Sequence, residues 1–152
     1  MAFPNIFTKP VVDELIVRIN SLKPDSQPLW GKMSVDQMLG HCNVAYEMVY
    51  DNNHPKPSFL AKLFIKLFAK GFVTGDKPYK KNSPTGPGFI IEGSRDFEKE
   101  KARLISYLER TQQLGEAHFD NKESHSFGKL NINEWNTMFY KHLDHHLTQF
   151  GV

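Results

Sequence analysis

A chain of 152 residues, 39% hydrophobic and 24% charged, suits one globular domain large enough to bury a real core. Its net charge of +2, from 19 basic and 17 acidic residues, is too small to point to nucleic acid. The single cysteine, Cys42, excludes an intramolecular disulfide and a cysteine-built zinc site, and no apolar run reaches the roughly 18 residues of a spanning helix. No basic and then apolar leader opens the sequence, so a cytoplasmic location is expected.

Helical periodicity dominates from the start. A first helix is expected from about Pro10 to Leu22, with Val11, Leu15, Ile19 and Leu22 at helical spacing and Pro10 suited to a first turn. Pro24 and Pro28 end it. A second helix starts at Ser34, where Ser34 and Gln37 fit a capping box, and runs to about Tyr50. On its wheel Met38, Ala45, Met48 and Val49 define the core face, His41 lies inside that arc, and Asp36, Asn43 and Glu47 lie opposite.

The segment from Ser58 to Phe72 is apolar around most of its circumference, relieved by a stripe of Lys62, Lys66 and Lys70. Such a helix needs cover, and the reading favoured is an inserted helix packed on the bundle or in a dimer interface, ahead of a membrane-surface helix. Val73 to Gly93 reads as a long loop, with a β-like fragment at Gly88 to Glu92, and its basic run from Lys77 to Lys81 as solvated. A third long helix is expected from Ser94 or Asp96 to before Gly115, with Phe97, Leu104, Ile105 and Leu108 inward. A loop over 116–130 and a last helix from Asn131 or Asn133 to near Phe150 complete an all-α chain. The count fits an up-and-down variant four-helix bundle with one short inserted helix and long loops.

Three of the seven histidines fall in the last helix, at 142, 145 and 146. Residues four apart share a helix face, so His142 and His146 can converge on one ion as neutral imidazoles. With Ile132, Phe139, Leu143 and Leu147 marking the buried face, His142 and His146 point inward and His145 sits at the rim. His41 supplies a third nitrogen from the second helix. A His41, His142 and His146 set leaves an open coordination position and suits zinc, nickel, iron or cobalt. The zincin pattern is absent, because Leu143 stands where a glutamate would be. Gln149 is the best-phased supporting group, ahead of Gln37 and Asp144. His125, in the loop before the last helix, is a candidate proton shuttle or fourth ligand. Cys42 is rotated about 100° from His41 and reads as a small core residue.

The stretch from Glu134-Trp135 through His142-Leu-Asp-His-His146 to Gln149, with Leu29-Trp30-Gly31-Lys32-Met33-Ser34 leading to His41, resembles the DinB/YfiT-like superfamily. Ser124-His125-Ser126-Phe127-Gly128 extends the likeness towards an uncharacterised subfamily. The resemblance covers nearly the whole chain. It implies a four-helix bundle over 1–152, a His₃ site commonly holding nickel or zinc, dimers in many members, and in some relatives reactions that use a low-molecular-weight thiol. The insert at 58–72 and the loop after it set this chain apart from the best-known members. The expected function is a metal-dependent transferase or hydrolase acting on a small electrophilic substrate. The alternatives are a non-catalytic metal or small-ligand binding protein and a structural or interaction module.

Overall fold

The computed structural model describes residues 2–51 and 53–152. Helix α1 spans Lys9–Ser21, with Thr8 at its N-cap and proline in its first turn. Helix α2 spans Val35–Tyr50, and the Gln37 side chain accepts a hydrogen bond from the Ser34 N–H at 3.2 Å, as a capping box requires. The apolar insert forms α3, Phe59–Phe68, and a short α4, Lys70–Thr74, separated at Ala69. The β-like fragment at 88–92 is instead a 3₁₀ turn at Pro87–Phe89 followed by irregular chain.

Helix α5 spans Phe97–Phe119, started by Asp96, whose carboxylate accepts from the Lys99 N–H at 3.0 Å. At Gly115 the backbone takes φ 70° and ψ 176°, so the helix breaks there and a final turn carries on to Phe119. The segment expected as loop before the last helix holds a hairpin, β1 Lys122–Ser124 paired antiparallel with β2 Gly128–Leu130. Strands of three residues leave too little alternation to be read from sequence. The Ser124 hydroxyl closes the hairpin, donating to the Gly128 carbonyl at 2.8 Å and accepting from the Phe127 N–H at 2.9 Å. Helix α6 spans Ile132–Gln149 from an Asn131–Glu134 capping box. The chain is thus mostly helical, with one small hairpin that an all-α reading lacks.

One apolar core joins α1, α2, α5 and α6, through Leu15, Ile19, Met38, Leu39, Leu104, Leu108, Phe139 and Leu147. Rings extend it: Tyr46 stacks on Phe139 at 4.9 Å and on Tyr107 at 5.6 Å, and Trp135 stacks on Phe139 at 5.4 Å. Two helices are buried on more sides than their apolar stripes suggest. Helix α2 lies between α5 and α6, so Asn43, expected opposite the core, is fully buried. Its amide donates to the Glu100 carbonyl at 3.0 Å and to the Glu100 carboxylate at 2.7 Å, while Arg103 bridges Glu100 and Glu47. The outward side of α2 is therefore a polar seam with α5.

Helix α6 is similarly enveloped. Asn136 is fully buried, accepting from the Ile6 N–H at 2.8 Å and donating to the Phe3 carbonyl at 3.3 Å, which ties the N-terminal segment across the helix. Replacing Asn136 with alanine leaves the Ile6 N–H unpaired in the core. The expected result is a loss of about 1–3 kcal/mol in unfolding free energy, measured by urea titration. A loss below about half a kcal/mol would show that the segment is held by Ile6 and Phe7 packing alone.

Candidate metal centre

The three histidines singled out by phase meet between α2 and α6. His41, at 4% exposure, and His146, at 7%, are buried, and His142 is partly buried. One ring nitrogen from each lies within 4.8 Å of the other two. The Nε2 atoms of His41 and His142 are 2.9 Å apart. Two nitrogens bound to one ion at about 2.0–2.1 Å sit roughly 3 Å apart, so this spacing suits a shared ligand.

Two of the rings are oriented from behind. His41 Nδ1 lies 2.8 Å from the Phe89 carbonyl, which can only accept, so the proton sits on Nδ1 and the Nε2 lone pair faces the cluster. His146 Nδ1 lies 2.8 Å from Gln149 Oε1. The amide is set in turn by its own Nε2, which donates to the Trp30 carbonyl at 2.7 Å. Trp30 carbonyl, Gln149 amide and His146 imidazole form a chain in which each donor is decided by its neighbour. Gly31 makes room for it: its φ is 84°, and a Cβ there would come within 2.6 Å of Gln149 Nε2. The backbone N–H of Leu29 also donates to the Gln149 carbonyl at 2.7 Å, fastening the 29–31 turn to the end of α6.

Phe89 closes one side. Its ring lies 5.5 Å from His41 and 5.9 Å from His142, centre to centre. The chain beyond it crosses α2 at Gly40, where an added Cβ would already touch Ile91 and Arg95 at 3.6 Å. On the other side His145 stands 5.1 Å from the His146 ring, flanked by Trp30 and Tyr79. These three residues line a cavity of about 210 Å³ on the outer flank of α6.

Burial keeps the cluster neutral. Desolvation lowers the basicity of His41, pushes His142 well below the ordinary histidine range and pulls His146 down to about 3. Mutual repulsion adds to this in His142 and His146, and the Gln149 contact opposes it slightly. Neutral imidazole is the ligand form.

The remaining candidates lie elsewhere. His125 is outside the cluster, in the hairpin turn, with Nδ1 2.8 Å from the Ser126 hydroxyl and Nε2 3.5 Å from the His54 carbonyl. Gln37 is spent on its cap and on the Gly93 carbonyl at 3.0 Å. Asp144 accepts from Arg18 at 2.8 Å. Cys42 is buried beside Met38, its thiol made less acidic by burial. Sequence reasoning missed the two carbonyls that matter, of Phe89 and Trp30, because a backbone group leaves no mark in a residue pattern. It also missed Lys141, at 2% exposure, which donates to the carbonyls of Phe72 at 2.9 Å and Gly75 at 2.5 Å.

Fold and geometry together define a mostly helical protein with a three-histidine cluster between two of its helices. The chain belongs to the family described as "Protein of unknown function (DUF1569)", which it matches over residues 4–151. No curated protein and no solved structure matches it.

The depressed basicity of His146 makes the metal-free protein sensitive to acid. Unfolded, the side chain takes up a proton near its ordinary value of 6.5; folded, it resists down to about 3. Its contribution is therefore complete above about pH 6.5 and is lost as pH falls towards 3. At pH 5 this one group removes about 2 kcal/mol of stability relative to pH 7.5. Urea titrations of chelator-treated protein at the two pH values read it, and a smaller acid loss in His146→Gln assigns it.

Proposed function

We propose that this protein is a DinB/YfiT-like four-helix bundle that binds one divalent transition metal, zinc or nickel foremost, through Nε2 of His41, His142 and His146. The observation that carries the reading is the convergence of three neutral imidazoles from two helices, two of them with their far nitrogens committed to the Phe89 carbonyl and to Gln149. The partners on Nδ1 of His41 and His146 leave both Nε2 lone pairs free to face a common point, and His142 Nε2 lies 2.9 Å from that of His41. The donor set contains no carboxylate, so a bound divalent ion keeps its full charge at the site.

When bound, such an ion supplies Lewis acidity, which makes water or a thiol nucleophilic at neutral pH. The chain's own residues do the positioning. Gln149 holds the His146 tautomer, the Phe89 carbonyl holds that of His41, and the Phe89 ring limits access from the 87–95 side. We therefore propose a transferase using a low-molecular-weight thiol, or a hydrolase, in the cytoplasm, where such thiols are kept reduced. His125, in the hairpin turn, lies outside the three-histidine cluster.

Elemental analysis of protein purified without chelator tests this directly. Wild type should carry near one equivalent of metal, and His142→Ala and His146→Ala little. Gln149→Leu should bind about ten- to a hundredfold more weakly, because the ring loses its orienting partner. His125→Ala should match wild type. Metal-dependent consumption of a thiol with an activated aryl halide or epoxide, absent in His142→Ala, would establish turnover. A loaded protein inert to both would be a metal-binding protein without catalysis. Equal, negligible metal in wild type and variants, with no thermal shift on adding zinc or nickel, would sink the reading.

A further inference from the structure

The apolar insert is oriented inside out. Phe59, Leu60, Leu63, Phe64, Leu67 and Phe68 form one continuous face of α3, and all are exposed, from 45% at Leu63 to 83% at Phe59; Phe72 of α4 extends the patch at 49%. The face turned to the body is Ala61, Lys62, Ile65 and Ala69, each only partly buried. Two members of the lysine stripe are drawn inward by ion pairs, Lys62 with Glu123 of β1 at 2.7 Å and Lys70 with Glu134 of α6 at 2.8 Å. Lys141 fixes the far end through the carbonyls of Phe72 and Gly75. Scattered exposed apolar residues are ordinary, but a contiguous patch of seven large ones marks a contact surface.

Charge identifies what it contacts. Residues 56–81 contain seven lysines and one acidic residue, Asp76, whereas the rest of the chain has more acidic than basic side chains. Lys56, Lys66, Lys77, Lys80 and Lys81 of this stretch are exposed, Lys66 on α3 itself, while Lys81 lies over the Trp30 ring on the flank of α6. A second copy docked face to face would set two lysine-rich segments, each strongly net positive, against one another. An anionic bilayer offers both an apolar phase for the phenylalanines and leucines and negative headgroups for the lysines. Helix α3, at ten residues, is about 15 Å long, and among the described residues no helix is long and apolar enough to cross a membrane.

We propose that the α3–α4 insert docks the protein on the surface of an anionic lipid bilayer, with α3 lying in the interface and its Phe/Leu face in the acyl boundary. This stands apart from the metal reading and does not depend on it. The test is flotation of full-length protein with vesicles of phosphatidylcholine alone and of equal parts phosphatidylcholine and phosphatidylglycerol. Wild type should float with the anionic vesicles, less so as salt rises. Phe64→Asp/Phe68→Asp, which alters two exposed rings stacked at 5.9 Å, should bind roughly tenfold or more weakly while keeping its helical circular dichroism and metal content. Lys66→Glu should weaken binding to anionic vesicles while leaving the fold intact. No flotation of wild type, or flotation indifferent to lipid charge and to the double variant, overturns the proposal. So does a dimer by light scattering that the double variant dissolves in a protein that ignores vesicles, which would assign the face to a second copy.

Discussion

Three neutral imidazoles brought to one point between two helices, two of them buried and one partly so, are the constraint around which the rest of this structure is arranged. Burial opposes protonation in all three rings and their proximity opposes it further in His142 and His146. The arrangement persists because the far sides of two rings are tied to acceptors that cannot give a proton, the Phe89 carbonyl directly and Gln149 through its own bond to Trp30. A cation at the centre, as proposed, would turn that convergence into binding energy. A lone buried histidine would need no such tautomeric control.

Holding the rings this closely requires that both helices be immobile, and each is gripped on several sides. Helix α2 is locked to α5 by the buried Asn43–Glu100 pair and its Arg103–Glu47 extension. Helix α6 is crossed by the N-terminal segment at Asn136 and by the 72–79 chain at Lys141, one residue before His142. Lys141 is deprived of water, which lowers its basicity to about 8, yet it donates to carbonyls that the end of α4 would otherwise leave unpaired. The polar groups in these seams supply direction rather than bulk stability. Apolar packing alone would tolerate the small rotations that separate three nitrogens from a common point.

The part of the centre that depends on periodicity was legible in the sequence, and the part that depends on backbone or on distant chain was not. His142 and His146 follow from their phase against Phe139, Leu143 and Leu147, His41 from its place among Met38 and Ala45, and Gln149 from standing three residues after His146. The bounds of α1, α2 and α6 followed from caps and prolines to within about two residues, whereas α5 carries a further turn past Gly115 to Phe119 and the insert divides at Ala69. The phase argument failed where a helix is buried all round. It set Asn43 and Glu47 on an outward face because it had no term for α5, and it gave no reason to bury Asn136 or Lys141, which are covered by segments far away in sequence. His125 was chosen for its position just before α6, but the hairpin turns it towards His54 instead. For α3 the composition showed that cover was needed and could not show on which side.

The outward turn of α3 follows from what surrounds it rather than from the strength of its ion pairs. Lys62–Glu123 and Lys70–Glu134 are partly exposed, and such pairs are worth at most about 1 kcal/mol each. Burying six large apolar side chains would outweigh them several times over, at about 1.5–3 kcal/mol apiece. The insert nevertheless keeps Lys62 and Lys70 inward, because the body beneath it is the hairpin and the start of α6, where Glu123 and Glu134 stand. The Lys141 clamp at α4 and the Ser58 cap at the other end leave the helix little freedom to turn over. The cost of exposing that face can thus be recovered only outside this chain. The seven lysines of residues 56–81, in a chain whose remainder leans acidic, decide the sign of the surface that recovers it.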